Sequence, residues 1–285
     1  MVSLNLRSQS DKAEYFRSLH RGPGVLVLPN AWDVPTARLF ESVGFKAIAT
    51  TSAGMLVSLG YEDGESIPFS EFLGAVSRIA RVLTVPLTVD VVAGFGPGVH
   101  EVVSAVRQIV GVGAVGINIE DFEHESKKLF RVEDQVEKIK AIRKLGETMG
   151  VNLVINARTD AFRYAEGGEE DRFREALRRG EFYRDAGADC VYPMGLTQAN
   201  LIREYVRTLN FPVNVMVTKN TPSVQELEAL GVKRLSFGPA AAYAVMGFLK
   251  RAAREVLEKG TYTSLVTEAI TYDELNSLTH PQKTG

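Results

Sequence analysis

The sequence has very little cysteine and no excess charge of either sign. Cys190 is the only cysteine among 285 residues, which excludes an intramolecular disulfide and a zinc site built from several cysteines. The 33 lysines and arginines are balanced by 35 aspartates and glutamates, so the chain lacks the basic excess that nucleic-acid binding needs. No apolar run reaches the ~18 residues of a membrane span, and the N-terminus lacks the apolar stretch of a signal peptide. We therefore expect a cytoplasmic protein with no nucleic-acid or membrane partner.

What the sequence does contain is an internal repeat. Four segments share a small or apolar residue, a glycine and then an apolar strand, and the glycines are Gly44, Gly113, Gly187 and Gly231. Each glycine follows a helical pattern and fits the position just after a helix, where left-handed backbone is favoured. Four apolar strands of a second kind alternate with these segments. The eight predicted strands cover approximately residues 25–29, 47–51, 87–91, 114–119, 153–157, 189–193, 213–217 and 234–237.

The order of these elements predicts the fold class. Amphipathic helical patterns separate most of the strands, and near-continuous apolar strands alternating with helices indicate a parallel sheet covered on both faces. Eight such units in ~250 residues predict an α/β protein with a (β/α)₈ TIM-type barrel. An open doubly wound sheet is the alternative, but no G-x-G-x-x-G follows the first strand.

One domain is expected, because no low-complexity linker divides the chain. We expect residues 1–260 to form the barrel, with a helix in residues 1–24 that could cap its bottom. Residues 261–285 form a tail too apolar to be wholly solvated, and we expect it to pack on a neighbouring subunit.

Carboxylates follow several strands at the end where barrel enzymes place their chemistry. Asp90 ends the third strand, Glu120 ends the fourth, and Asp63 lies in the loop GYEDGESIP. Clustered carboxylates repel one another unless a cation or a proton neutralises them. Oxygen ligands without histidine or cysteine fit a hard ion, so the sequence predicts Mg²⁺, with Mn²⁺ as the other choice. The competing interpretation is that each carboxylate caps a helix or pairs with a lysine.

Arg158, at the end of the fifth strand, is the second informative residue. Its guanidinium fork can hold a carboxylate or phosphate through two parallel hydrogen bonds. A metal beside an arginine indicates a small anionic substrate, and the backbone N–H groups of residues 52–54 could bind its carboxylate. The alternatives are a salt bridge from Arg158 to Asp160 or Glu120, and a purely turn-forming role for residues 52–54.

Other reactive side chains are weaker candidates. The four histidines are His20, His100, His124 and His280. A surface position is the preferred interpretation for each, although His124 follows the fourth strand and could donate a proton. Cys190 begins an apolar strand and is expected in the core. Lys219 could form a Schiff base in an aldolase-type barrel, but a surface lysine is preferred.

Together these segments resemble the isocitrate lyase/phosphoenolpyruvate mutase superfamily. The segments that carry the resemblance are, in order, LPNAWD, TTSAG with LGYEDG, VDVVAGFG, GINIED, INARTDAF, FPVNVM and KRLSFGP, and they cover about residues 20–258. The resemblance implies a (β/α)₈ barrel whose last helix is exchanged between subunits, in dimers or tetramers. It also implies Mg²⁺-dependent cleavage or formation of C–C or P–C bonds next to a 2-oxo acid.

The resemblance assigns roles by position. The implied metal ligands are Asp90, which binds directly, and Glu120 and Asp63, which act largely through metal-bound water. The residues implied to hold the substrate are Thr51, Ser52 and Ala53 at its carboxylate, with Arg158 and Asn214 at its other anionic end. Arg158, Asp63 and Glu120 are the candidate catalytic residues.

The sequence departs from the family pattern at several positions. Val92 stands where the metal motif carries a second acid, and Met194 follows Pro193 where the lyases have a glutamate. The loop FEHESKKLFRVED lacks the lyase cysteine that donates a proton, which disfavours an isocitrate or methylisocitrate lyase. The loop is also shorter than the gating loop of the phosphonate branches, which carries a lysine. Lys127 and Lys128 of this sequence are the candidate substitutes for that lysine.

The function predicted from these residues is a Mg²⁺-dependent lyase acting on a small 2-oxo dicarboxylic acid. Decarboxylation of an oxaloacetate-like substrate is favoured, since an enolate formed by loss of CO₂ can take its proton from solvent; retro-aldol cleavage is the other form. The alternatives are a phosphonopyruvate-type P–C mutase or hydrolase, a 2-oxo acid-binding protein without turnover, and a Schiff-base aldolase using Lys219.

Overall fold

Eight parallel strands form the centre of the structure, a computed structural model that describes residues 8–267 and 269–279. We number them barrel strands 1 to 8. Their bounds are Leu26–Leu28, Ile48–Thr50, Leu87–Asp90, Gly116–Glu120, Val154–Thr159, Cys190–Pro193, Asn214–Met216 and Arg234–Ser236. All eight lie within one or two residues of the predicted positions, because each is a short apolar run between turn signals.

Helices alternate with these strands. They are α1 (Gln9–Leu19), α2 (Val34–Ser42), α3 (Ser52–Ser58), α4 (Phe69–Ala80), α5 (Val99–Gly111), α6 (Val132–Met149), α7 (Ala161–Tyr164), α8 (Glu169–Asp185), α9 (Ala199–Leu209), α10 (Val224–Ala229), α11 (Ala240–Lys259), α12 (Thr263–Thr267) and α13 (Tyr272–Ser277). No helix in the described ranges is long and apolar enough to cross a membrane.

The strands are arranged as a ring. A six-stranded parallel sheet runs from Asn30–Ala31 through barrel strands 2 to 6, and a three-stranded parallel sheet joins strands 1, 8 and 7. The sheets meet at Pro29, where strand 1 continues into Asn30–Ala31, and at a parallel bridge between Val191 and Val213. This order returns to its starting strand, so the predicted barrel is confirmed and the open sheet was the wrong alternative.

The repeated glycines mark the ends of helices, as predicted. Their φ angles are +101° at Gly44, +113° at Gly113, +105° at Gly187 and +85° at Gly231. L-residues with a Cβ adopt this backbone only at a cost, so glycine is the residue that lets each helix stop and turn into the next strand.

The N-terminal end of the barrel is covered by α1. Phe16 of this helix is fully buried and approaches strand 4 where it begins. A Cβ built on Gly116 would lie 2.7 Å from the Phe16 ring and 2.9 Å from Thr88 Oγ1. Glycine at position 116 therefore lets the Phe16 ring enter the barrel from below.

The last long helix lies away from the barrel core. Helix α11 has twenty residues, of which only Ala242 and Ala252 are buried. Tyr243 and Met246 are more than 60% exposed, and Leu257 is 86% exposed. The apolar tail that follows forms α12 and α13, and residues 268 and 280–285 of it lie outside the described residues.

Candidate active site

A polar cavity of about 250 Å³ opens at the carboxyl ends of the barrel strands. Six predicted site residues line it: Thr51, Ser52, Ala53, Asp63, Asp90 and Arg158. Glu120 and Asn214 are absent from its lining. Asn214 is fully buried, and its Nδ2 donates to Ser236 Oγ at 3.1 Å. The structure thus brings together most of the predicted site and places these two residues behind its wall.

Asp90 is held firmly at the end of strand 3. Its Oδ1 accepts a hydrogen bond from Asn118 Nδ2 at 2.9 Å, and its Oδ2 accepts one from Ser52 N at 3.3 Å. Its own backbone N–H donates to Thr50 Oγ1 at 2.9 Å. Neutral donors orient this carboxylate, and in the described residues no cationic side chain lies within salt-bridge distance of it.

Asp63 reaches the rim of the same cavity from the loop before α4. Its pKa is raised, first because the carboxyl is partly desolvated and second because of the negative charge on Asp90. Two carboxylates that face one cavity repel each other, and a divalent cation relieves that repulsion. Mg²⁺ keeps several of its water ligands, so two carboxylates and an open cavity fit that ion.

The third predicted metal ligand, Glu120, is already paired. It is 2% exposed, with Oε2 2.6 Å from Arg158 Nη1 and Oε1 2.5 Å from His124 Nε2. Burial raises the pKa of Glu120, and the charge of Arg158 opposes that rise. Across residues 8–267 and 269–279 no group of three or more histidine, cysteine, aspartate or glutamate side chains is arranged to hold a metal. Of the three predicted metal ligands, Asp90 and Asp63 are thus the two that line the cavity.

Arg158 is neutralised on two sides. Its Nε and Nη2 donate to the two carboxylate oxygens of Asp160 at 2.7 and 2.9 Å, in addition to the Glu120 contact. Asp160 is fully buried. The salt-bridge alternative weighed from the sequence is thus what the structure shows, and it involves both carboxylates rather than one. The guanidinium fork expected to bind substrate is occupied by the protein.

The histidines do not all lie at the surface. His20 is 2% exposed, and burial lowers its pKa to about 3, so the surface expectation was wrong for this residue. It ends the amphipathic helix α1 beneath the barrel, where tertiary packing encloses it. His100 is exposed. His124 is partly buried, and its hydrogen bond to Glu120 raises its pKa. His280 lies outside the described residues.

Two weaker candidates fall where they were expected. Cys190 is buried in strand 6, and Lys219 is exposed. No lysine lines the cavity, so the aldolase alternative has no candidate nucleophile there. Lys127 and Lys128 are exposed on a hairpin in which Phe122–Glu123 pairs with Lys128–Leu129, and they too are absent from the cavity lining.

Val92 takes a conformation that its side chain disfavours. It is 1% exposed, with φ +54°, a backbone region that is uncommon for a β-branched residue. Asparagine and aspartate tolerate this region better. The backbone at position 92 thus takes a conformation that an aspartate would adopt more easily than the valine present there.

Among the cavity-lining residues that sequence reasoning missed are Arg163, Arg234 and Tyr243. Arg234 carried a signal, because it is a charged residue inside the predicted apolar strand 234–237. Arg163 and Tyr243 lie on α7 and α11, and no periodicity in the sequence indicates that they reach the cavity.

Comparisons with known proteins bear on what this cavity does. The family model described as phosphoenolpyruvate phosphomutase matches residues 16–257. The 2-methylisocitrate lyase of Aeropyrum pernix is 32% identical over 92% of this chain and 85% of its own. The 2,3-dimethylmalate lyase of Eubacterium barkeri is 28% identical over 93% of each chain. The solved structure of a candidate lyase/mutase from Burkholderia cenocepacia J2315 superposes with a TM-score of 0.87 and 35% identity, over 94% of this chain and 95% of that one.

Proposed function

The chain belongs to the isocitrate lyase/phosphoenolpyruvate mutase superfamily, and from that membership we propose that it is a Mg²⁺-dependent lyase of a small 2-oxo dicarboxylic acid. The chain is an enzyme of the carbon–carbon lyase kind, as its curated relatives are. The proposed reaction is decarboxylation of an oxaloacetate-like acid, with retro-aldol cleavage of a related acid as its other form. The observation that carries the proposal is the pair Asp63 and Asp90 facing one cavity beside the Ser52 N–H.

In this proposal the cation is held by Asp90 and Asp63. Asn118 and Ser52 fix the orientation of Asp90, so its carboxylate is preorganised and little ordering is lost on binding. Glu120 acts from behind the wall, where it holds both Arg158 and His124 in place. Mg²⁺, when bound, would polarise the 2-oxo group and stabilise the negative charge that develops as the bond breaks.

The start of α3 is proposed to hold the substrate carboxylate. Thr51 is the N-cap of this helix, and its side chain accepts from Gly54 N. Ser52 and Ala53 follow on the first turn and line the cavity. The Ser52 N–H already donates to Asp90 and the Gly54 N–H to Thr51 Oγ1, so the Ala53 N–H is the donor proposed for an anion at this helix start. The 2-oxo acid therefore has its carboxylate at α3 and its oxo group toward Asp90.

The proton balance favours decarboxylation. When oxaloacetate loses CO₂, the electron pair of the broken C–C bond remains as the enolate of pyruvate, which takes up one proton. No cysteine lines the cavity, and Asp63 at the rim is exposed to solvent. Water can therefore supply the proton, whereas a cleavage that needs a positioned acid lacks the family's thiol.

An oxaloacetate assay with purified protein tests the proposal. Consumption of oxaloacetate with Mg²⁺ is expected from the wild type and is expected to fall at least 100-fold in Asp90→Ala. The matched control is Glu62→Ala, which removes an exposed carboxylate one residue from Asp63 and should retain activity. Equal rates in wild type and Asp90→Ala, after subtraction of the Mg²⁺-only background, would remove the role proposed for Asp90.

A second candidate function is cleavage or rearrangement of a P–C bond, and the match to the phosphoenolpyruvate phosphomutase family model favours it. The hairpin lysines Lys127 and Lys128 do not line the cavity, which argues against P–C chemistry. Phosphorus NMR after incubation with phosphonopyruvate decides between the two, since release of inorganic phosphate or formation of phosphoenolpyruvate would identify P–C chemistry.

A homo-oligomer, a dimer or tetramer, is also proposed. The apolar side chains of α11 are exposed along the helix, and contiguous exposed apolar surface of this kind marks an interaction site. We propose that a second copy of the chain covers α11, with the helix exchanged between subunits.

A further inference from the structure

Arg234 is a buried cation for which the described part of the protein supplies no carboxylate. It is 2% exposed and is the largest fully buried side chain. Among residues 8–267 and 269–279 it forms no salt bridge, whereas Arg158 forms two. Its Nε is buried without a hydrogen-bond partner. Arginine is almost never fully buried unless it is paired. We therefore expect an anion at this position that the described residues do not provide.

Within the described ranges, the one hydrogen bond of the Arg234 side chain is to a neutral group. Its Nη1 donates to His20 Nε2 at 3.3 Å. His20 Nδ1 lies 2.9 Å from Phe16 O, which can only accept, so the ring proton is on Nδ1 and Nε2 is the acceptor. Burial and the nearby Arg234 charge both keep this histidine neutral. His20 thus orients the guanidinium without neutralising it.

The guanidinium lines the lower part of the active-site cavity. Arg234 and Thr88 are both among the lining residues. The Arg234 Cζ lies 5.9 Å from the centre of the Phe16 ring, and Thr88 Oγ1 approaches that ring across Gly116. Thr88 Oγ1 is also buried without a partner. A cationic side chain and a hydroxyl without a partner therefore both lie near the Phe16 ring, on the side of the cavity that α1 covers.

We propose that Arg234 anchors one carboxylate of a small dicarboxylate at the floor of the cavity. The proposal deepens the function proposed above and rests on it for the class of substrate. A cavity of about 250 Å³ has room for roughly eight waters at about 30 Å³ each, which suits a small organic diacid better than a single halide ion. Arg158 lies between Glu120 and Asp160, and Arg163 contacts Asp160. Of the described cations that line the cavity, Arg234 is therefore the one without a carboxylate within salt-bridge distance.

Calorimetric titration of the protein with malonate in the presence of Mg²⁺ tests the proposal without any turnover. Arg234→Met is expected to raise the Kd for malonate at least tenfold, and Arg234→Lys, which keeps the charge, is expected to raise it less. The matched control is Lys233→Met, which removes a positive charge from the neighbouring residue, whose Nζ instead donates to Gly22 O at 3.2 Å. That variant should bind malonate as the wild type does. Absence of malonate binding by the wild type, or equal Kd values in wild type and Arg234→Met, would overturn the proposal.

A crystal structure with malonate supplies the second readout. A carboxylate oxygen within hydrogen-bond distance of Arg234 is expected. Ordered water alone at Arg234, or bromide that malonate does not displace, would overturn the dicarboxylate assignment. Should Arg234→Met fail to fold, Arg234→Lys and the malonate complex of the wild type decide the question.

Failure of this inference can be told apart from failure of the proposed reaction. Malonate binding that depends on Arg234, in a protein that does not consume oxaloacetate, would refute the reaction and leave the anion site standing. Oxaloacetate turnover with a normal KM in Arg234→Met would support the reaction and refute the anion site.

Discussion

Replacing Arg158 by methionine isolates the most heavily charged part of the site. Methionine keeps most of the side-chain length, so the main loss is the positive charge between Glu120 and Asp160. Both carboxylates are almost inaccessible to water, at 2% and 0% side-chain exposure. Removing one partner of a buried ion pair costs about 3–5 kcal/mol, because a charge is left buried without compensation.

The lower part of that range is expected here. Glu120 keeps its contact with His124, and Asp160 keeps a longer one, 3.6 Å, with Arg163. We therefore expect Arg158→Met to lower the free energy of unfolding by about 3 kcal/mol. At roughly 2–4 °C per kcal/mol for a chain of this size class, Tm should fall by about 6–12 °C.

The stability loss in Arg158→Met should depend on pH, and its direction follows from the pKa of Glu120. The folded-state pKa of Glu120 is raised by burial and is held down in part by Arg158, so it rises further in the variant. A carboxyl whose folded pKa exceeds its unfolded pKa does not lower stability at a pH below the unfolded pKa, because it is protonated in both states. It lowers stability most above the folded pKa, where the buried group is charged. The stability gap between wild type and Arg158→Met should therefore be larger at pH 8 than at pH 5.

Urea unfolding followed by circular dichroism at both pH values measures the gap. The matched control is Arg163→Met, because Arg163 is 41% exposed and its contact with Asp160 is long. An exposed pair of this kind contributes about 1 kcal/mol or less. A loss below about 1 kcal/mol in Arg158→Met, or an equal loss at pH 5 and pH 8, would refute the argument from buried charge.

Four further substitutions test the fold and its assembly. Gly94 has φ +113°, and a Cβ there would lie only 2.7 Å from a neighbouring valine side chain, so Gly94→Ala should lower the unfolding free energy by about 2 kcal/mol or more. Gly74 lies in the open interior of α4, and Gly74→Ala should raise the unfolding free energy by about 0.5–1 kcal/mol. Urea midpoints measure both changes, and equal effects would contradict the backbone argument. Tyr183→Phe removes the hydroxyl that donates to Asp121 Oδ2 at 2.6 Å and should lower the unfolding free energy by about 1–2 kcal/mol in the same assay. An unchanged unfolding free energy would mean that water replaces the hydroxyl and would contradict the prediction. Met246→Asp places a charge on the exposed face of α11 and should reduce the mass measured by light scattering to that of one chain; an unchanged oligomer would exclude this face as the contact.

The barrel could be predicted because its signals are local. Each strand is an apolar run of a few residues, and the helices before strands 2, 4, 5, 6 and 8 end at a glycine with positive φ. The same periodicity also placed Asp90 and the residues of α3 at one mouth, since parallel strands bring their carboxyl ends to the same side. Fold and approximate site therefore follow from patterns within windows of ten to twenty residues.

Side-chain partners could not be predicted in the same way, because they depend on residues far apart in sequence. Glu120 was expected near the metal, yet it pairs with Arg158, thirty-eight positions along the chain on the neighbouring strand, where the two are in register. His20 follows an ordinary amphipathic helix, and only the docking of that helix under the barrel buries it. Ring closure between strands 1 and 8 then brings it to Arg234.

These pairings change which charges at the cavity are available to a ligand. Arg158 looked like the cation for an anionic substrate, but Glu120 and Asp160 outnumber it, so its surroundings are negative in sum. Asp90 and Asp63 add negative charge at the mouth, and Arg234 supplies a single positive charge at the floor. In the proposed enzyme a divalent cation at Asp90 and Asp63 would offset this negative charge, and a dianion between mouth and floor would then be attracted at both ends, where low dielectric strengthens the interaction. The same charge distribution therefore supports both proposals, a cation at the mouth and an anion at Arg234 on the floor.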